Sequence, residues 1–257
     1  GSSTPMTRRF PIERFAAGRR VVVEDELSVE EPLLVKINGK PLATLMRTPG
    51  DDVALVTGFL YSEGLIARPG DIASIIPTEH PTSQEMDVQL SGGMPGPTAA
   101  RSIYLSSSCG VCGRASIDEL LERIEPIERF DVDPELLLTL PAKLTGAQRQ
   151  FPLTGGVHAA ALFAADGNLI SIEEDVGRHN ALDKLVGKAF AGSTLPLTGT
   201  ILVMSSRGSF DIVQKAAMAG IPVVATMGAA SSLAAQLALA SGIRLFCFLK
   251  ANVFCLS

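Results

Sequence analysis

Tryptophan is absent from the 257 residues, and there are only two tyrosines, three histidines and four cysteines. Charged residues make up 19%, below the usual level for soluble domains. No run reaches the ~18 consecutive apolar residues of a membrane-crossing helix, so no membrane span is expected. Residues 1–9 contain no apolar core of a secretory signal. Four cysteines in a chain without such a signal fit a reducing cytoplasm better than a disulfide framework. The formal net charge of −5 supplies no basic surplus, which argues against nucleic-acid or membrane-surface partners. What is present is a 46% apolar composition on a chain long enough to bury a sizeable core.

Two of the four cysteines stand three apart in the run Ser106-Ser107-Ser108-Cys109-Gly110-Val111-Cys112-Gly113. A strand-like segment (103–105) precedes them and a helix-like segment (115–121) follows. The glycines leave the sulfurs uncovered by bulky neighbours. A helix start beyond them favours thiolate over thiol, and thiolate is the nucleophile. Three chemistries compete for such a pair. A zinc half-site needs two more ligands at a matching spacing, and no second pair exists; Cys247, Cys255, His158 and His179 are scattered. A dithiol–disulfide couple usually follows the first strand of a thioredoxin-like unit, whereas this pair is mid-chain. The third chemistry is sulfur passed on as a persulfide.

Read in order, residues 10–31 open with strand character, and Asn38-Gly39 between two apolar runs predicts a hairpin. The turn residues at 48–52 predict a helix start, with a helix over 53–63 stopped by Gly64. Short strands are predicted at 72–77 and 86–90, then a Gly/Pro loop at 91–97. A helix is expected at 117–124. Pro126, Pro134 and Pro141 are expected to break 125–141 into short pieces, and 148–156 reads as a polar, mobile connection. From 156 the pattern is regular: strands at 157–163 and 169–173 around an Asp166-Gly167 turn, a helix at 180–190, then strand and helix in alternation to a last long strand at 243–249. This β-β-α-β-α-β-α-β order predicts an α/β fold, a three-layer α/β/α sandwich over 156–257. It is preceded by a smaller N-terminal α+β region (10–100) and a connecting stretch with the cysteine loop (101–155).

Ligands of such sheets bind beyond the carboxyl ends of the strands. Three strand-to-helix loops are expected to meet there, at 173–180, 205–209 and 227–232. They offer helix N-termini rich in Ser and Gly, together with Arg178 and Arg207, a set suited to a phosphate-bearing small molecule. His179 adjoins Arg178 at a helix start and has the better claim to touch a ligand. His158 reads as a structural strand histidine, Asp175 as a helix cap or a support for Arg178, and Asp183 and Lys184 as a solvated helix face.

Four stretches together resemble the formate dehydrogenase accessory sulfurtransferase family of FdhD/NarQ type. They are Cys109-Gly110-Val111-Cys112-Gly113, Gly155-Gly156-Val157-His158-Ala159-Ala160, the long string from Glu174-Asp175-Val176-Gly177-Arg178-His179-Asn180 through Ala181-Leu182-Asp183-Lys184, and Ser205-Ser206-Arg207. The long string is far more specific than the cysteine pair. The resemblance implies a cytidine deaminase-like sheet, without the H-x-E and P-C-x-x-C set of the zinc deaminases, and no metal site. It implies transfer of sulfur from a cysteine desulfurase to the bis-molybdopterin guanine dinucleotide molybdenum cofactor, bound as substrate, with GDP as a mimic, for formate dehydrogenase. It implies that Cys109 holds the persulfide, assisted by Cys112. It also implies that Phe248, Leu249, Lys250, Ala251, Asn252 and Val253 contribute to cofactor binding, and that the protein is a homodimer. The anion chemistry of the loops adds Arg178, His179, Ser206, Arg207, Gly228 and Ser231 to the expected cofactor site.

Overall fold

The computed structural model describes residues 5–80, 83–93, 120–249 and 252–256. Cys109, Cys112, most of the helix expected at 117–124, Lys250 and Ala251 lie outside them.

The chain begins with a two-stranded ribbon, β1 (Thr7–Ala16) and β2 (Arg19–Ser28). Its turn residues Ala17 and Gly18 both take positive φ, 49° and 73°. The expected Asn38-Gly39 hairpin joins β3 (Glu31–Ile37) to β4 (Lys40–Arg47), with φ of 48° and 77° at the two turn residues, as such turns require. The strands β5 (Ile72–His80) and β6 (Ser83–Leu90) complete a four-stranded sheet of order β4-β3-β6-β5. Its inward residues, Leu33, Val35, Ile37 and Val88, bury against Leu55, Phe59 and Leu60 of α1 (Asp52–Ser62).

The C-terminal half is a six-stranded sheet of order β12-β11-β10-β9-β7-β8. Its strands are β7 (His158–Ala164), β8 (Leu169–Asp175), β9 (Thr200–Met204), β10 (Val223–Thr226), β11 (Arg244–Leu249) and β12 (Asn252–Leu256). β9, β10 and β11 run parallel, with β7 and β12 antiparallel at their flanks. Strands covered on both faces read as continuous apolar runs, and the side chains sort by alternation. Leu162, Leu202, Met204 and Val224 face α4 (Arg178–Ala191), α5 (Phe210–Met218) and α6 (Ser232–Ser241). Phe163, Ile201, Val203 and Ala225 face α2 (Pro134–Ala147). This is the three-layer α/β/α arrangement.

Two expectations need correction. The prolines do not fragment α2: Pro134 occupies its first turn behind an Asp133 cap, and the helix runs through Pro141. An interior proline costs about 3 kcal/mol. Leu137, Leu140 and Leu144 are each fully buried on the sheet, at about 2 kcal/mol apiece, so packing wins. The segment after it is tied down. A one-turn helix α3 (Phe151–Thr154) follows three N–H groups, of Arg149, Gln150 and Phe151, that donate to the Glu174 carboxylate at 2.7, 2.8 and 3.1 Å.

The two halves are joined through α1 and α4, which cross at glycines. A Cβ on Gly58 would lie 1.8 Å from the Asp183 carbonyl oxygen, and one on Gly187 would lie 1.8 Å from that of Ala54. Phe190 of α4 reaches into the core of the N-terminal sheet.

Candidate functional site

The string from Glu174 to Lys184 is where the halves meet, and most of its polar side chains build the frame of the site. Asp175 ends β8 fully buried and accepts from four donors. Gly177 N–H (2.8 Å) and Asn180 Nδ2 (3.0 Å) donate to Oδ1; Thr48 N–H (3.1 Å) and Lys184 Nζ (2.8 Å) donate to Oδ2. Lys184 also donates to the Thr48 carbonyl at 3.0 Å, and Asn180 to that of Met46 at 2.7 Å. Asp183 accepts from both Lys215 Nζ (2.8 Å) and Ser62 Oγ (3.1 Å). Asp183 and Lys184 are therefore not a solvated face. Each is only 2% exposed. Burial pushes the Asp183 carboxyl up, with Lys215 opposing; burial likewise works against the Lys215 ammonium, but Asp183 and Glu63 outweigh it and raise its pKa.

This frame aims the first turn of α4 at the carboxyl edge of the sheet. The expected three loops do meet there. Gly208 N–H donates to the Ala229 carbonyl (3.1 Å), Ser231 N–H to that of Gly208 (3.0 Å) and Gly228 N–H to that of Ser206 (3.1 Å). Gly228 is required by closeness, because a Cβ there would lie 2.8 Å from Arg207 Cα. Arg178 Nε donates to Ser209 Oγ at 3.3 Å, tying the first loop to the second.

Several expected ligand-binding groups serve the loops themselves. Ser206 is buried, its hydroxyl donating to the Arg207 carbonyl at 3.1 Å. The Ser231 hydroxyl caps α6 by accepting from Ala234 N–H at 3.2 Å. The groups that stay unengaged by carboxylates are the guanidiniums: among the described residues neither Arg178 nor Arg207 forms an ion pair. Burial lowers the Arg178 pKa, the nearby Arg207 lowers it further, and Asp211 opposes both. Two guanidiniums near one another, with Asp211 in their field but outside ion-pair distance, are chemically suited to an anion.

Two histidines complete the cluster. His179 Nε2 lies 2.9 Å from Asp211 Oδ2 in the first turn of α5, and this hydrogen bond holds the Asp211 carboxyl below its ordinary value against the effect of burial. His158 opens β7 with Nδ1 3.5 Å from Ser205 Oγ. Burial, then the positive fields of Arg178 and His179, hold its pKa below the usual histidine value. It is a strand residue, as expected, at the end of β7 that adjoins the 205–209 loop. The clue available in sequence was its position at the edge end of the strand before the Asp166-Gly167 hairpin. Ser209 lies in the same loop as Arg207 and Asp211 just after it, in the first turn of α5, where neither carried a signal as specific as the arginine.

Of the segment 248–253, Phe248 packs half-buried against the α2 side of the core, Leu249 ends β11, and Asn252 and Val253 begin β12. β11 is parallel to β9 and β10, so its carboxyl end lies on the same edge as the Arg207 and Ser231 loops. An open groove of about 440 Å³ lies elsewhere, lined by Asp51, Thr57, Met86, Gly187 and Lys188. It sits nine residues, about 13 Å, along α4 from Arg178, and takes no part in this cluster.

The sequence pattern of the FdhD/NarQ family matches residues 28–256. The sulfur carrier protein FdhD of Streptomyces avermitilis is 46% identical over 95% of this chain and 91% of its own. That of Mycobacterium tuberculosis is 41% identical over 94% and 92%. A crystal structure from Desulfotalea psychrophila, described as a formate dehydrogenase accessory protein, superposes with a TM-score of 0.77 at 23% identity, covering 98% of this chain and 97% of that one, and so shares the fold. With a family match over nearly its whole length and relatives above 40% identity, this chain belongs to the FdhD/NarQ family.

Proposed function

We propose that this chain is a sulfur carrier for formate dehydrogenase maturation. In this reading it takes sulfur from a cysteine desulfurase and delivers it to the bis-molybdopterin guanine dinucleotide molybdenum cofactor. The observation that carries the reading is the convergence of Arg178 and the Arg207 loop at the carboxyl edge of a sheet, where Arg178 Nε bonds Ser209 Oγ and neither guanidinium forms an ion pair among the described residues. Diphosphates of a guanine dinucleotide match that chemistry, and GDP is the simplest mimic. Family membership and the names of the relatives support the sulfur-carrying part.

In this reading the Cys109 thiolate attacks the terminal sulfur of the desulfurase persulfide. The new S–S bond forms as the old one breaks, and the desulfurase cysteine leaves as a thiolate. Release as sulfide needs an electron pair. Cys112 supplies it by attacking the inner sulfur of Cys109, which leaves a Cys109–Cys112 disulfide and expels HS⁻ toward the bound substrate. The loops hold the substrate, and proximity is their contribution to rate. The protein works in the cytoplasm.

The test is Cys109→Ala. Unchanged GDP and cofactor binding with an inactive dehydrogenase is the expected result. Full maturation activity would instead make the protein a cofactor-holding chaperone.

A further inference from the structure

Asp211 is out of place by its charge. It lies in the field of His179, Lys215 and Arg178 at the carboxyl edge of the sheet, where a lone carboxylate repels a diphosphate. Its partner is His179, whose Nε2 lies 2.9 Å from Asp211 Oδ2. Each is the second residue of its helix, α4 for His179 and α5 for Asp211. Helix N-termini favour an anion and disfavour a charged imidazole, and the Asp211 carboxylate offsets the second effect. The two side chains are 39% and 41% exposed. An ion pair so open to water adds little to stability, so folding does not account for it.

The geometry fixes one nitrogen of the ring. The hydrogen bond from His179 holds the Asp211 carboxyl below its ordinary value, so the group is an anion and only accepts. Nε2 therefore carries a proton, and Nδ1 is the variable atom. Among the described residues Nδ1 has no hydrogen-bond partner. In the neutral ring Nδ1 is a lone pair, which repels a phosphate oxygen; in the charged ring it is an N–H donor. Arg178, Arg207 and Asp211 together leave one net positive charge, and a charged His179 makes it two. The remaining groups in reach leave this contrast in place. Asp183, in the field of the ring, is paired with buried Lys215. His158 in β7 is held below the usual histidine value by burial, then by Arg178 and His179. Glu63, in the field of Asp211, is pushed up by burial.

We propose that Asp211 is a positioning residue: it holds Nε2–H of His179, presents Nδ1 to the substrate, and so couples diphosphate binding to the uptake of one proton from solvent at Nδ1. The proposal rests on the reading of the loops as a diphosphate seat.

The experiment is calorimetric titration of the full chain with GDP-mannose. Its diphosphate is a diester, so no phosphate group titrates near neutrality, unlike the terminal phosphate of GDP. Titrations at pH about 7.5, roughly one unit above the ordinary histidine value, in buffers of different ionisation enthalpy count the protons taken up. The wild type is expected to take up about one proton, with affinity falling about tenfold per pH unit from about pH 7 upward. His179→Gln should take up none and bind equally well at about pH 7 and about pH 8. In Asp211→Asn the amide can donate to Nε2, which places the ring proton on Nδ1 without uptake, so binding should persist while the proton count collapses. Asp211→Glu should keep the uptake, and so should His158→Gln.

Wild-type binding without proton uptake, or uptake that survives in His179→Gln, would overturn the proposal and leave the diphosphate seat standing. Undiminished uptake in Asp211→Asn would overturn the role of Asp211. No binding of GDP-mannose or GDP at any pH would remove the seat itself, and the proposal with it. If Asp211→Asn fails to fold, the proton count of the wild type against that of His179→Gln decides.

Discussion

Asp175 is the residue on which the frame of the site depends most. Its four donors come from both halves of the chain, and one of them is a buried ammonium. Removing one partner of a buried ion pair strands the other, at about 3–5 kcal/mol. Asp175→Ala should therefore lower the unfolding free energy by that amount in urea titrations, while a near-wild-type midpoint would refute its role. His158 makes a pH-dependent contribution of opposite character. Its folded pKa is held below the ordinary ~6.5. As pH falls below about 6.5 the unfolded chain takes up a proton that the folded imidazole refuses, so stability is lost until the lower folded value is reached. His158→Gln should flatten the slope of stability against pH in that window, and an unchanged slope would contradict the assignment. Sequence reading put Arg178, His179 and Arg207 at the site because charged residues in strand-to-helix loops carry their own signal. It misplaced Asp183 and Lys184 because their partners, Lys215 and Asp175, are 32 and nine residues away and nothing local reveals the pairing.

Among the elements, the crossing of α1 and α4 is the most constrained. The carbonyl oxygens 1.8 Å from each hypothetical Cβ cannot swing aside as a flexible side chain would. Gly58→Ala or Gly187→Ala must push the helices apart, at a cost of about 3 kcal/mol or more. Gly146→Ala near the end of α2 meets no atom within 4 Å and should instead stabilise by about 0.5 kcal/mol. Thermal unfolding of the three variants checks the contrast. The strands β7, β9, β10 and β11 were legible because both-face burial gives unbroken apolar runs between Gly and Asp-Gly stops, and the edge strand β8 because the Asp166-Gly167 turn announces it. The course of α2 through Pro141 was not, because burial of three leucines on a distant sheet outweighs a local helix breaker. β12 was missed for a different reason: Lys250-Ala251 carries none of the turn chemistry that announces a hairpin.

At the scale of the whole molecule, the N-terminal half braces the C-terminal sheet so that its loops can hold two repelling cations together. Arg178→Ala and Arg207→Ala should each weaken GDP binding by about 10- to 100-fold, the worth of a charge-assisted hydrogen bond. Arg207→Ala should leave the unfolding midpoint unchanged, whereas Arg178→Ala also gives up its hydrogen bond to Ser209 and should lower it slightly. Calorimetric titration beside thermal unfolding separates the two effects. The central claim is that sulfur travels on Cys109. Its most direct test is intact and peptide mass spectrometry after incubation with a cysteine desulfurase and cysteine, without reductant. One added sulfur atom on the peptide carrying Cys109, absent from Cys109→Ala, is the expected result. No added sulfur on a protein that still binds GDP would contradict the carrier mechanism and leave the loops as the seat of a chaperone.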